Sequence, residues 1–293
     1  MKISGSITAL VTPFKNGSVD ESSLRSLVEW QIGSGTHGLL ACGTTGESTT
    51  LSLSEHLRVI EIVADVADKR LPVIAGASSS NTMMSIKLAE HAQQVGVDAI
   101  LVAAPAYNRP SQEGLYQHFM AINEAVELPM ILYNIPHRSA VEMSIDTVIR
   151  LKTSCPKVIG VKDSTSSLSR ASLERVSMPE DWIMLSGDDG TTLGYMAHGG
   201  NGSISGLANV IPGWWAKLQE ACTVGDFGKA LELYNMIDPL RRSLTLDGNP
   251  VGVKFALSRL GYIVDELRLP LVSASPKTRE AIEKEMEKLG LIS

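Results

Sequence analysis

Eight short apolar runs rich in Ile, Val and Leu recur along this chain, at residues 7–11, 38–41, 73–76, 99–103, 130–133, 158–161, 182–185 and 202–204. Each is the length of a strand buried on both faces and is too short for a helix. They return at intervals of about 20 to 35 residues, the size of one strand–helix unit. Between them, apolar positions follow helical spacing. Asp20-Glu21 opens a stripe at Leu24, Leu27, Val28 and Ile32, and Ser54-Glu55-His56 opens another through Val59, Ile62, Val63 and Val66. Asn81 and Ser144 are suited to cap the helices that follow them.

Continuous apolar strands alternating with helices imply a parallel sheet covered by helices. Eight units favour a closed (β/α)8 TIM barrel over an open doubly wound sheet, and residues 1–224 are expected to form it. Helical patterns continue at 214–222, 227–240, 251–260 and 277–288, more than one closing helix requires. The sequence therefore predicts a C-terminal helical appendage, residues 225–293. No linker rich in Pro, Gly or Ser precedes it, so it should pack on the barrel.

In such a barrel the reactive groups stand at the C-terminal ends of the strands. Lys162 closes the sixth run, in Val158-Ile159-Gly160-Val161-Lys162-Asp163-Ser164. A buried amine is costly unless it is paired or discharged, and a discharged amine is a nucleophile for carbonyls. The alternative is a strand-end lysine reaching solvent. After the second run, Gly43-Thr44-Thr45-Gly46-Glu47 makes a tight turn whose N–H groups can converge on an anion, or a turn with a structural role only. It lacks the GK[ST] of a nucleotide loop, so a small carboxylate suits it better. After the fourth run comes Pro105-Ala106-Tyr107-Asn108-Arg109-Pro110, and after the fifth Tyr133-Asn134-Ile135-Pro136-His137-Arg138. Tyr133 can carry a proton beside a reacting carbonyl or serve as a core aromatic. Arg138 can clamp a carboxylate bidentately or lie on the surface. Ser186-Gly187-Asp188-Asp189-Gly190 adds backbone groups to the same rim, its acids being helix caps in the plainer reading. The glycine-dense segment 199–206 precedes a strand, so it is not a dinucleotide fingerprint.

Composition narrows the class. The 293 residues are 44% apolar and 20% charged, as in a globular core, and the net charge of −6 argues against nucleic-acid and anionic-membrane partners. Cys42, Cys155 and Cys222 are widely spaced and read as reduced thiols of a cytoplasmic protein. No apolar signal-peptide region or membrane-length stretch is expected. His37, His56, His91, His118, His137 and His198 lack metal-ligand spacing, so no metal is expected.

GTTGE after the second run, YNIPxR after the fifth and GVKDS around Lys162, in this order, resemble the pyruvate-dependent lyase family of dihydrodipicolinate synthase and N-acetylneuraminate lyase. The likeness continues through Ser186-Gly187-Asp188-Asp189, Asn249-Pro250-Val251-Gly252-Val253-Lys254 and Leu267-Arg268-Leu269-Pro270-Leu271-Val272. Arg138 points to the synthase branch, where an arginine holds the carboxylate of L-aspartate 4-semialdehyde. The resemblance implies a Schiff base between Lys162 and pyruvate, proton shuttling by Tyr133, and no cofactor or metal. It further implies that Thr45 links Tyr133 to Tyr107 of a neighbouring subunit. Thr44 and Thr45 would bind the pyruvate carboxylate, with the Gly187 and Ile204 backbones lining the pocket. A homotetramer built from two tight dimers is expected. The alternatives are an aldolase acting on a sugar-derived aldehyde and a non-catalytic paralogue that binds a metabolite.

Three departures stand out. Ala106 replaces a second aromatic beside Tyr107, so altered contacts are expected at the tight-dimer interface. Ser48, Thr49 and His56 could serve an L-lysine feedback cleft, but Leu53, Ser80, Met84 and Ala106 replace the groups expected there. The expected inhibition is weak or absent. Gly206-Leu207 stands where the family has Val-Thr, at the pocket rim.

Overall fold

In the computed structural model, which describes residues 2–293, the expected barrel is present. The chain runs through β1 (Gly5–Ala9), a small antiparallel pair β2 (Phe14–Lys15) and β3 (Ser18–Val19), then β4 (Gly38–Ala41), β5 (Val73–Gly76), β6 (Ala99–Ala103), β7 (Met130–Asn134), β8 (Val158–Asp163), β9 (Ile183–Ser186) and β10 (Gly202–Ser205). All but β2 and β3 pair in parallel, and β1 seals the ring against both β4 and β10.

Helices α1 (Glu21–Gly33), α2 (Leu53–Ala67), α3 (Thr82–Val95), α4 (Gln112–Ala125), α5 (Pro136–Ser139), α6 (Ile145–Ser154), α7 (Leu168–Ser177) and α8 (Thr192–Ala197) alternate with the strands. Asp20, Asn81 and Ser144 cap α1, α3 and α6 through side-chain oxygens that accept backbone N–H groups. Helix α2 begins earlier than the expected Ser54. Ser52 caps it in a reciprocal box with Glu55, which satisfies two otherwise free N–H groups. Four helices follow the last strand: α9 (Pro212–Thr223), α10 (Phe227–Leu244), α11 (Val251–Arg259) and α12 (Pro276–Lys288). Helix α9 packs on β1, and α10 packs on α8 and α9.

The first strand differs from its expected span of 7–11. Ala9, Leu10 and Val11 are all buried, so the apolar run is real, but Val11 leaves the ladder and donates its N–H to the Asn209 carboxamide. Trp182 likewise belongs to the core rather than to β9, and its indole N–H is held by Glu174.

Two apolar layers result. One lies between strands and helices. The other fills the barrel and includes Ile7, Leu40, Ile74, Leu101, Ile131, Leu185 and Ile204. Tyr133 stands in this inner layer, at its top.

Candidate active site

Strand register positions the central pair. Tyr133 on β7 lies opposite Lys162, which lies opposite Leu185 on β9. Both neighbours face the barrel interior, so Lys162 faces it too. It is only 5% exposed, so it does not reach out to solvent. Its Nζ sits 4.2 Å from the centre of the Tyr133 ring. One residue further on, Asn134 donates to the Asp163 carboxylate at 2.9 Å and accepts the Met143 N–H at 3.1 Å. Asp163 also accepts from Thr165 and is 3.3 Å from the Arg170 guanidinium. These buried bonds clamp the ends of β7 and β8 and fix the two side chains beside each other.

The pocket above them has a volume of about 280 Å³. Thr44, Thr45, Tyr133, Arg138, Lys162, Gly187 and Ile204 all line it, as the sequence leads one to expect. Gly187 contributes space as well as backbone. A Cβ there would lie 2.9 Å from Lys162 Cε, and its N–H is already spent on the Asp163 carbonyl. The turn is a narrower anion site than expected, because the Gly46 and Glu47 N–H groups donate to the Gly43 and Thr44 carbonyls. An anion would therefore use the N–H groups and hydroxyls of Thr44 and Thr45. Arg138 sits on α5 and donates to the Asn249 carbonyl at 3.3 Å. It also borders a second cavity of about 400 Å³, and the two cavities share Thr44, Tyr133, Ile135, Arg138 and Asn249 in their walls.

Tyr107 is apart from this group. It is 93% exposed, has φ +71° and lines neither cavity. The Thr45 hydroxyl accepts from the Asn249 carboxamide at 3.0 Å, not from either tyrosine. Of the residues considered for an L-lysine cleft, Ser48, Thr49, Ser80 and Ala106 border the second cavity. His56 does not, being buried with a ring nitrogen 2.8 Å from the Gly76 carbonyl.

Several residues of the site had no role, or only a capping role, in the sequence reading. Asn249 arrives from beyond the barrel, and no periodic pattern marks it. Ser164 is buried in the pocket wall, and its hydroxyl makes no hydrogen bond among the described residues. Asp188 does cap the following turn, accepting from Thr191. Asp189 instead turns toward the pocket, where burial pushes its carboxyl up to about 6 against the lowering effect of the Leu207 N–H, the Ser205 side chain and Lys162. Among the described residues, no three His, Cys, Asp or Glu side chains gather as a metal-ligand cluster, and no helix is long and apolar enough to cross a membrane.

A buried lysine at a strand end, a tyrosine against it and an arginine at the mouth suit imine chemistry on a small oxo acid. Comparison with known proteins agrees. The model of the dihydrodipicolinate synthetase family matches residues 2–289. The 4-hydroxy-tetrahydrodipicolinate synthase of Rhizobium meliloti is 53% identical over 288 residues, covering 98% of this chain and 99% of that protein. The crystal structure of dihydrodipicolinate synthase from Aquifex aeolicus superposes with a TM-score of 0.97 at 41% identity, covering 99% of both chains. The chloride-inhibited dihydrodipicolinate synthase of Acinetobacter baumannii, complexed with pyruvate, superposes with a TM-score of 0.96 at 42% identity, over 99% of this chain and 100% of that one.

Proposed function

Because the chain belongs to the dihydrodipicolinate synthetase family, we propose that it condenses pyruvate with L-aspartate 4-semialdehyde to 4-hydroxy-tetrahydrodipicolinate. This is the first committed step toward diaminopimelate and lysine. The observation that carries the reading is Lys162, buried at the top of the barrel against Tyr133 and under the Thr44–Thr45 turn.

In the proposed reaction, Lys162 Nζ adds to the ketone carbon of pyruvate, and water leaves to give a protonated imine. The imine withdraws electrons, so a methyl proton departs and an enamine forms. Its carbon attacks the aldehyde carbon of the semialdehyde, whose oxygen takes up a proton. The amine of the adduct then displaces Lys162 from the imine carbon, which closes the ring and frees the enzyme. Tyr133 is the proposed carrier of these protons, and Thr44 and Thr45 the proposed holders of the pyruvate carboxylate. Gly187 and Ile204 shape the floor, and Arg138 receives the carboxylate of the second substrate. The covalent imine supplies the electron sink, so the scheme uses no cofactor or metal. Tyr107, exposed on its own protomer, is proposed to complete the site of a neighbour by way of Thr45, within a tetramer of two tight dimers. We further propose residues 1–224 as the barrel and 225–293 as its appendage, and a cytoplasmic location consistent with three buried free thiols.

Pyruvate consumption with L-aspartate 4-semialdehyde, run against a Lys162→Ala control, tests the reaction. Turnover abolished by the substitution supports it. Arg138→Ala should raise KM for the semialdehyde at least tenfold while borohydride still traps pyruvate on Lys162. Trapping without consumption of the semialdehyde would point to a sugar-derived aldehyde instead, and no trapping at all to a non-catalytic paralogue.

A further inference from the structure

Among the described residues, the most enclosed ion pair lies outside the reacting groups. Lys254 on α11 donates to Glu47 Oε1 at 2.5 Å, and both side chains are wholly buried. The other Glu47 oxygen accepts the Arg268 N–H at 3.1 Å. Phe14 forms a lid over the pair, with Lys254 Nζ 4.1 Å and the Arg268 guanidinium 4.3 Å from its ring centre. Replacing such a pair by well-packed apolar groups is often neutral for stability, so stability alone is a weak reason for its presence.

Its position supplies a better reason. Glu47 ends the Gly43–Glu47 turn and is held at φ +52°, a left-handed conformation unfavourable for a side chain with a Cβ. Two residues earlier, the Thr45 hydroxyl is tied to Asn249, and the Gly46 carbonyl accepts from Thr12. Three of these ties come from residues 249–268, outside the barrel strands. The Thr45–Glu47 side of the turn is thus fixed by the C-terminal region, and Glu47 is held there by the dry ion pair.

We propose that Lys254, through Glu47, is a positioning residue for the pyruvate-binding turn. The pair sets where the Thr44 and Thr45 donors point, and so how pyruvate presents its ketone to Lys162. This inference rests on the reaction proposed above.

The test measures the rate of borohydride trapping on Lys162 against pyruvate concentration, together with KM for each substrate. Two variants are used. Lys254→Met combined with Glu47→Gln removes both charges and leaves neither unpaired. Glu47→Asp keeps both charges but retracts the carboxylate by one methylene. In either variant, the half-saturating pyruvate concentration should rise at least tenfold, while KM for the semialdehyde stays within twofold. A Lys254→Arg variant, which keeps the charge and the pairing, should recover most of the pyruvate affinity. A folded variant with the wild-type pyruvate constant would overturn the proposal, as would a parallel rise in both substrate constants. If the wild-type protein traps no pyruvate, the proposed reaction fails. If it traps pyruvate and the variants match it, only the positioning role fails.

Discussion

Gly187→Ala is the sharpest probe of the site, because a single methyl group would enter the space of Lys162. The Cβ would lie 2.1 Å from Ser164 Oγ, 2.9 Å from Lys162 Cε and 3.1 Å from Lys162 Cγ. The serine can swing away without losing a hydrogen bond, since its hydroxyl has no partner among the described residues. The lysine cannot retreat so easily. Carbon atoms rest at roughly 3.5–4.0 Å, so its chain must shift by about 0.5–1 Å. A displacement of ~1 Å at a reacting group costs on the order of 100-fold, or about 2.7 kcal/mol of barrier. Overpacking should cost a further ~1–3 kcal/mol of stability. Steady-state turnover and borohydride trapping would show the first effect, and urea unfolding the second. Gly190→Ala is the control, since its methyl would meet only the end of Arg241 at 3.3 Å and Asp188 Oδ2 at 3.4 Å. A folded Gly187→Ala protein with kcat/KM within threefold of wild type would refute this geometry of Lys162.

Gly160→Ala should fail for a different reason. Its Cβ would stand 2.3 Å from the Ile183 carbonyl oxygen, a backbone atom of the adjoining strand, so a loss of at least ~3 kcal/mol or insoluble expression is expected, and a native melting temperature would contradict it. Glu174 is fully buried, and burial pushes its carboxyl from the ordinary 4.5 up to about 7. The folded state therefore holds a proton that the unfolded state releases, and the stability this gives, present below about pH 4.5, is lost as pH rises toward 7. The loss is about 3 kcal/mol. Urea unfolding of Glu174→Gln at pH 5 and pH 8 should show that much less pH dependence than wild type, and equal slopes would refute the assignment. L-Lysine at 1 mM or so should leave turnover nearly unchanged, since few charged groups line the second cavity and each lost hydrogen bond costs roughly 1–3 kcal/mol. Strong inhibition below that concentration would show that the cleft is intact.

The barrel was legible because eight buried strands write themselves as eight apolar runs, whatever the rest of the chain does. Strand ends were less so. Leu10 still donates to the Leu40 carbonyl of the adjoining strand and burial continues to Val11, where hydropathy cannot distinguish a ladder bond from a bond to Asn209. The pair β2–β3 escaped notice although Asn16-Gly17, both at positive φ, is a strong hairpin signal. Lys162, Tyr133 and Arg138 could be found because each stands at or just beyond the C-terminal end of a strand, where this fold collects its chemistry. Asn249 and Lys254 stood out only as part of a family likeness and without a role, because their meaning comes from contacts with Thr45 and Glu47, more than 200 residues away. Tyr107 shows the complementary limit: its place is written in the sequence, but it stands exposed on this chain, and the partner proposed for it belongs to a neighbouring subunit.

The same long-range ties set an order of events during synthesis. Lys162, Tyr133 and the Thr44–Thr45 turn leave the ribosome well before residues 249–268 exist. Residue 205 is enough to supply the last barrel strand, which pairs with the first. A chain of that length holds every barrel strand, yet the turn above Lys162 still lacks its C-terminal anchors. If Lys254 positions the turn as proposed, chemical competence arrives last, when the end of the chain folds back onto its beginning. On that proposal, an unfinished or clipped protein would carry Lys162 without the anchored turn assigned to substrate binding, and should consume pyruvate poorly.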